Sequence, residues 1–270
     1  MMELMTAPET TPSATTTRLA RTVAITSGKG GVGKTFFSAN LAAALTRQGL
    51  KVLVLDADLG LANLDVVLNL YPKITLHDVF TGKAELEEAI LPAPGGFHVL
   101  LAGSGLVEYS RLTPEVRDQL MRIFEAVKPR FDVVLIDTGA GISDVVLYAV
   151  SMAHEVIVVA TPEPTSMTDA YATIKVLSAQ QNREQLHLVV NQVTRAGDGR
   201  TICNQLQQVV ERFVQGPNGV SPKLSFLGDI PLDSSVREAV QKRQLLLELH
   251  PGSAAAQGVV QVATRLQARG

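Results

Sequence analysis

Along this 270-residue chain, short apolar runs alternate with stretches of helical period. Thr22–Thr26, Lys51–Leu55, Phe97–Leu101, Phe131–Ile136, Glu155–Ala160, Leu186–Val190 and Leu224–Leu227 are mostly apolar and lack strict polar alternation. Such runs predict strands buried on both faces, as in a parallel sheet. Between them the period changes. Phe37, Leu41, Ala44 and Leu45 recur at helical spacing over 35–48, and Gly49 stands where a glycine ends a helix. Further helices are expected over 114–128, 143–152, 166–180, 200–213, about 234–242 and 254–268. Thr113, ahead of Pro114 and Glu115, is the expected N-cap of the first of these. This alternation builds an α/β fold: a doubly wound, mostly parallel sheet with helices on both faces. Ligands of such sheets bind beyond the carboxyl ends of the strands. Gly28, Asp58, Asp137, Pro162 and Asn191 all follow strands at those ends.

The most specific of these polar segments is Gly28-Lys29-Gly30-Gly31-Val32-Gly33-Lys34-Thr35, between the first strand and the first helix. It matches G-x-x-x-x-G-K-[ST], the phosphate-binding loop (P-loop) of nucleoside triphosphatases, in its strand–loop–helix context. The glycines let backbone N–H groups turn inward around phosphate oxygens, and the helix N-terminus adds a favourable field. Lys34 reaches the β- and γ-phosphates, and the Thr35 hydroxyl is placed for Mg²⁺. Gly28, Gly30 and Gly33 also satisfy G-x-G-x-x-G, the dinucleotide fingerprint. That reading gives Lys34 and Thr35 no role and does not anticipate a second acidic motif at Asp137, so a nucleoside triphosphate is favoured.

Asp137 is expected to end its strand ahead of Thr138-Gly139-Ala140-Gly141. A carboxylate there can hold Mg²⁺ opposite Thr35, or cap the next helix. Gly141 is expected to offer its N–H to the terminal phosphate. Asp56 and Asp58 fall on one side if the second strand continues through them. Such a carboxylate can orient an attacking water and accept its proton, and a solvated turn would carry the same residues. Lys29 is ambiguous, since most loop lysines are simply solvated.

Composition narrows the classes. The chain is 46% hydrophobic and 19% charged, which suits a sizeable core. A net charge of −2 argues against a general DNA-binding surface. Cys203 is the only cysteine, so no intrachain disulfide or closed cysteine metal site forms. No run is long enough to span a bilayer and no signal organisation opens the chain, so a cytoplasmic location is expected. Residues 1–21 are expected to form a disordered tail, polar and low in complexity over 6–17, with one ATPase domain over 22–270.

The extra lysine at position 29 makes this loop similar to the deviant phosphate loop of the MinD/ParA class of ATPases. Asp56-Ala57-Asp58-Leu59-Gly60-Leu61-Ala62-Asn63-Leu64-Asp65 and Glu163-Pro164-Thr165-Ser166-Met167-Thr168-Asp169-Ala170-Tyr171 resemble the flagellar-number regulator branch, FlhG/FleN. The similarity runs from Thr22 through Phe226-Leu227-Gly228-Asp229-Ile230-Pro231 to Pro251-Gly252-Ser253-Ala254-Ala255. It implies a switch ATPase that uses ATP and Mg²⁺, turns over slowly, and closes as an ATP-sandwiched homodimer. Lys29 and Lys34 then act on the phosphates, Lys29 by crossing to the partner's nucleotide. Asp58 positions the water and reaches the metal through water. Asp137 is the magnesium partner beside Thr35. Asn191 reads the adenine edge, and Pro231 to Asp233 line the base.

The resemblance also implies a regulatory protein partner, either a flagellar GTPase or a transcription activator. It allows peripheral contact at the inner membrane or a cell pole. Residues 1–21 lack the Asp-Gln-Ala-x-x-Leu-Arg activator motif of that branch, so activation of a partner GTPase is not implied. At the C-terminus Val259, Val260, Val262, Ala263 and Leu266 form an apolar stripe, with only Arg265 and Arg269 as basic residues. That pattern favours a packed helix over a membrane helix. The competing readings are a septum-siting, membrane-cycling MinD-like ATPase, a non-catalytic ATP-dependent regulator of a transcription activator, and a DNA-partitioning ATPase.

Overall fold

The computed structural model describes residues 19–59, 63–103 and 112–269. Among the described residues eight strands form one sheet: β1 (Arg21–Ser27), β2 (Val52–Ala57), β3 (Ile90–Pro92), β4 (His98–Leu100), β5 (Val133–Ala140), β6 (Glu155–Ala160), β7 (Gln185–Val193) and β8 (Lys223–Pro231). Their spatial order is β3-β4-β2-β5-β1-β6-β7-β8. Every pairing is parallel except the β3–β4 edge, which is antiparallel. The doubly wound sheet is as expected. Because β1 lies between β5 and β6, the chain leaves it in both directions, and a crevice opens at its carboxyl end.

The helices are α1 (Lys34–Arg47), α2 (Leu64–Leu68), α3 (Leu76–Phe80), α4 (Leu86–Ala89), α5 (Pro114–Val127), α6 (Asp144–Ser151), α7 (Pro164–Gln181), α8 (Asp198–Phe213), α9 (Ser234–Lys242), α10 (Leu246–Leu249) and α11 (Ala254–Gln267). They cover both faces. Val23, Ile25, Val52 and Val54 pack with α1, α2 and α9 to α11, whereas Ala24, Leu53 and Leu55 pack with α3 to α8. Alternate strand residues thus feed two cores, which is why the runs read as continuously apolar.

Small side chains let α1 sit deep. Ala39, Ala42, Ala43 and Ala44 are all buried, and α11 packs directly on it. In α11, Val259, Val262, Ala263 and Leu266 are fully or almost fully buried, while Val260 is exposed. The C-terminal apolar stripe is therefore a core face. Thr113 caps α5 as expected, its Oγ1 accepting the Val116 N–H at 3.3 Å.

Several boundaries differ from expectation. Of the stretch assigned to a tail, residues 1–18 lie outside the described residues, and Arg21 is already the first residue of β1. Residues 60–62 of the Asp56–Asp65 motif also lie outside them. Asp137 does not end a strand. β5 runs on to Ala140, because the backbone pairs past a register shift with Ser27↔Ala140. The helices α2, α3, α4 and α10 and strand β3 have no counterpart in the sequence reading, being five residues or shorter.

At the opposite end of the sheet Glu155 accepts two hydrogen bonds from the Arg21 guanidinium and lies 3.0 Å from His187 Nε2. Burial alone raises its pKa, but the Arg21 and His187 hydrogen bonds win and hold it down at about 2. A carboxyl depressed in the folded state stabilises the fold above its ordinary range near 4.5 and loses that contribution as pH falls toward 2. Glu155→Gln is therefore expected to destabilise the protein at pH 7 by about 1–3 kcal/mol. In urea titrations the gap to wild type should close as pH falls from about 4.5 to 2.

Candidate nucleotide-binding site

The loop from Gly28 to Gly33 turns out of β1 and into α1 at the crevice. Two of its glycines are there because nothing larger fits. A Cβ on Gly28 would lie 2.2 Å from the backbone carbonyl oxygen of Asp169 in α7. Gly33 has φ +90°, and a Cβ there would sit 2.6 Å from Asn191 Nδ2. Asn191 Nδ2 instead donates to the Val32 carbonyl at 2.7 Å, tying the loop to the end of β7. The Ser27 hydroxyl donates to the Lys29 carbonyl at 2.7 Å.

Lys34, at the first turn of α1, is buried. Burial lowers its pKa, and the neighbouring charges of Asp137 and Asp58 oppose that shift. Asp137 is 1% exposed. Its pKa is pushed up to about 6 by burial, against the hydroxyls of Ser38 and Thr35 and the charge of Lys34. Ser38 Oγ stands 2.8 Å from Asp137 Oδ1. Thr35 and Asp137 together present a hydroxyl and a carboxylate, hard oxygen donors of the kind Mg²⁺ takes.

A cavity of about 530 Å³ opens over these groups, lined among others by Gly31, Lys34, Thr35, Asp58, Asn63 and Ser143. A neighbouring cavity of about 310 Å³ shares Gly33 and is lined by Phe36, Asn191, Pro231, Asp233 and Val236. The first carries Lys34, Thr35 and Asp58 and flanks the glycine loop. The second offers apolar walls wide enough for a planar base. Asp233 has a structural duty there, since its Oδ1 accepts the Ser235 N–H at 2.9 Å and caps α9.

Two expectations are corrected. Asp56 and Asp58 do not share a side: β2 ends at Ala57, so Asp58 turns into the large cavity. Asp56 stays on the α1 face, 1% exposed, opposite Asp137 in the β2–β5 register. Its Oδ1 accepts the Asp58 N–H at 3.1 Å. Burial first and the Asp137 charge second drive the Asp56 pKa well above the usual carboxylate value. Nor is the Gly141 N–H available to a phosphate, because it donates to the Ser27 carbonyl at 2.8 Å. Gly139 lies beside Asp58, where an added Cβ would meet the carboxyl at 3.4 Å.

Lys29 projects to the exposed side, with Nζ 2.8 Å from Glu163 Oε2 and 3.0 Å from Thr165 Oγ1. Ser38 and Glu163 are the site neighbours that sequence reasoning left without roles. Ser38 was findable, being one helical turn beyond Lys34 and so on the same face. The Glu163 contact joins residues 134 positions apart and had no local signal.

Comparison with known proteins gives the family. Residues 18–267 match the ParA family model, described as "NUBPL iron-transfer P-loop NTPase". The chain belongs to the ParA family of P-loop NTPases. It is 42% identical over 244 residues to "Antiactivator FleN" of Pseudomonas aeruginosa, covering 90% of this chain and 85% of that protein. It is 36% identical to "Flagellum site-determining protein YlxH" of Helicobacter pylori, covering 89% and 80%. Among solved structures it is similar to the septum site-determining protein MinD of Pyrococcus horikoshii complexed with Mg-ADP, with TM-score 0.74 and 29% identity over 92% of this chain and 96% of that one. These matches support the MinD/ParA resemblance and its flagellar branch.

The close approach at Gly28 has a direct test. Gly28→Ala is expected to cost about 1–3 kcal/mol through forced displacement of α7, whereas Gly30→Ala, with nothing within 4 Å of its Cβ, should shift the denaturation midpoint far less.

Proposed function

We propose that this chain is an ATP-dependent dimerising switch that hydrolyses ATP to ADP and phosphate with slow turnover and regulates the number or placement of a flagellum. The observation that carries the ATPase part is the buried Lys34 ammonium beside Asp137 and Asp58, under a glycine loop at the carboxyl end of β1. The flagellar part rests on the likeness to FleN and YlxH. The MinD-like alternative has weaker support, since Bacillus subtilis MinD is 40% identical over only 65% of this chain.

In this reading the loop Gly28–Thr35 cradles the phosphates through its backbone N–H groups, and Lys34 places its ammonium against the β- and γ-phosphates. Thr35 and Asp137 would hold Mg²⁺, and Asp58 would reach it through water. When bound, the ion neutralises charge on the phosphate oxygens. Asp58 orients the attacking water and accepts its proton, so the burial of Lys34 and the tether from Asp56 to the Asp58 N–H keep the reacting groups in place. Asn191 reads the adenine edge, while Pro231 and Asp233 line the base.

Lys29 acts across a two-fold axis on a second copy's nucleotide, adding positive charge where negative charge develops. To get there it must leave Glu163. An exposed ion pair of this kind is worth only about 0.2–1 kcal/mol, so Glu163 is a weak tether that a partner's triphosphate overcomes. ATP then favours the closed dimer by its differential affinity for that state. The closed form engages a regulatory protein of the flagellar system in the cytoplasm, at the inner membrane or a cell pole. The buried face of α11 argues against that helix as the lipid contact.

Lys34→Ala is expected to abolish binding of a fluorescent ATP analogue. Asp58→Ala should retain binding and ATP-dependent dimerisation but lose phosphate release by more than about a hundredfold. Hydrolysis retained in Asp58→Ala would refute its role.

A further inference from the structure

β7 does not run out of the sheet as a regular strand. Leu188 and Val190 are buried in the core that faces α3 to α8, and Val189 in the core that faces α1. Alternation at period two then puts Val193 on the α1 side with Val189. Val193 is instead buried with Leu188 and Val190. One residue has been inserted, and the pairing with β8 shows which. Asn191 lies opposite Ile230 and Val193 opposite Pro231, so Gln192 has no partner in the ladder. Gln192 is the extra residue of a β-bulge, and its φ is +60°. Three other non-glycine residues among the described ones have positive φ, namely Asn69, Asn182 and Arg243, and each ends a helix. Gln192 ends none. A long side chain held in the left-handed region inside a strand is strained, and strain of this kind collects at ligand sites. Asn191 holds it in place, its Oδ1 accepting the Gln192 N–H at 2.9 Å.

The bulge changes which groups reach the base cavity. It turns Gln192 away from the α7–α8 face, where alternation would send it, to the side of Asn191, and both residues line that cavity. The other polar side chains there are committed or one-sided. Asn191 spends Nδ2 on the Val32 carbonyl and Oδ1 on the Gln192 N–H. Asp233 accepts from Ser235 and from the Ala255 N–H. Arg237 carries donors only. The Gln192 carboxamide makes no hydrogen bond among the described residues. It is exposed, so water meets it until a ligand takes that place. It offers a donor and an acceptor side by side. Adenine presents the complement along one edge, the 6-amino group next to a ring nitrogen, and a glutamine amide meets that pattern with two hydrogen bonds.

We propose that Gln192 is the base-discriminating residue of this site, its carboxamide pairing with the 6-amino group and the neighbouring ring nitrogen of an adenine nucleotide. The inference rests on the nucleotide reading proposed above and deepens it. Asn191 keeps one N–H and one lone pair for the base, while the 6-amino contact falls to Gln192. Asn191 also links the two halves of the site, since one carboxamide braces both the phosphate loop and the bulge.

The test is a calorimetric cycle in the presence of Mg²⁺. ATP and purine riboside triphosphate, in which hydrogen replaces the 6-amino group, are titrated into wild type and Gln192→Gly. Glycine removes the amide and accepts the positive φ, so the melting midpoint is expected to stay close to that of wild type. Wild type should bind ATP about tenfold more tightly than the analogue. Gln192→Gly should bind ATP about tenfold more weakly than wild type does and separate the two ligands by less than about twofold. The proposal is overturned, with the nucleotide site left standing, if wild type binds both ligands equally. Equal weakening of both ligands in Gln192→Gly, the mark of a purely structural role, overturns it in the same way. Failure of wild type to bind ATP at all overturns the nucleotide reading itself and this inference with it.

Discussion

The site is organised around a charge imbalance built into the ends of three adjacent strands. β2, β5 and β1 bring Asp56, Asp137 and the glycine loop side by side, and α1 sets Lys34 against them. Asp137 and Asp56 are both almost wholly buried, with pKa values raised chiefly by loss of water. One buried ammonium among three aspartates is an arrangement a compact fold does not keep for stability alone. In the function proposed above it is balanced when a polyanion and a hard cation enter together, the one meeting Lys34 and the loop amides, the other meeting Thr35 and Asp137. Hydrogen bonds that fix the loop before any ligand arrives, from the Asn191 side-chain amide to the Val32 carbonyl and from the Gly141 N–H to the Ser27 carbonyl, keep the cradle open at little further cost on binding.

Much of this was legible in the residues. The glycine loop, the buried strands and the long helices declared themselves because each depends on local pattern. Continuous apolar runs mark strands covered on both faces, and the phosphate loop needs its glycines at fixed spacing. What escaped notice depends on distant partners. Asp56 and Asp58 look equivalent in sequence, yet one hydrogen bond and the end of β2 send them into different cavities. The Gly141 amide looked free because its acceptor, Ser27, is over a hundred residues away. The stretch from 63 to 97 went unread because α2, α3, α4 and β3 are too short to show a period, and their caps are single residues such as Thr75.

The family and its relatives include proteins described by iron transfer and by flagellar and septal site determination. This chain's residues choose among them. Its single cysteine, Cys203, is buried on α8 and unsuited to holding an iron cluster. Its terminal apolar stripe is buried against α1 and β8. What stays exposed is Lys29, resting on Glu163 and Thr165 at the mouth of the site. A group so placed contributes little within one chain and fits a role between two. The proposed switch is supported by which groups the fold spends internally and which it leaves facing outward.

Titration calorimetry with ATP and Mg²⁺ is the most direct measurement of whether the strand-end cradle is a triphosphate site. One binding event per chain, dependent on the cation and not reproduced by a nicotinamide dinucleotide, is the predicted result. Absence of heat with ATP and Mg²⁺, or preferential uptake of the dinucleotide, would contradict the account.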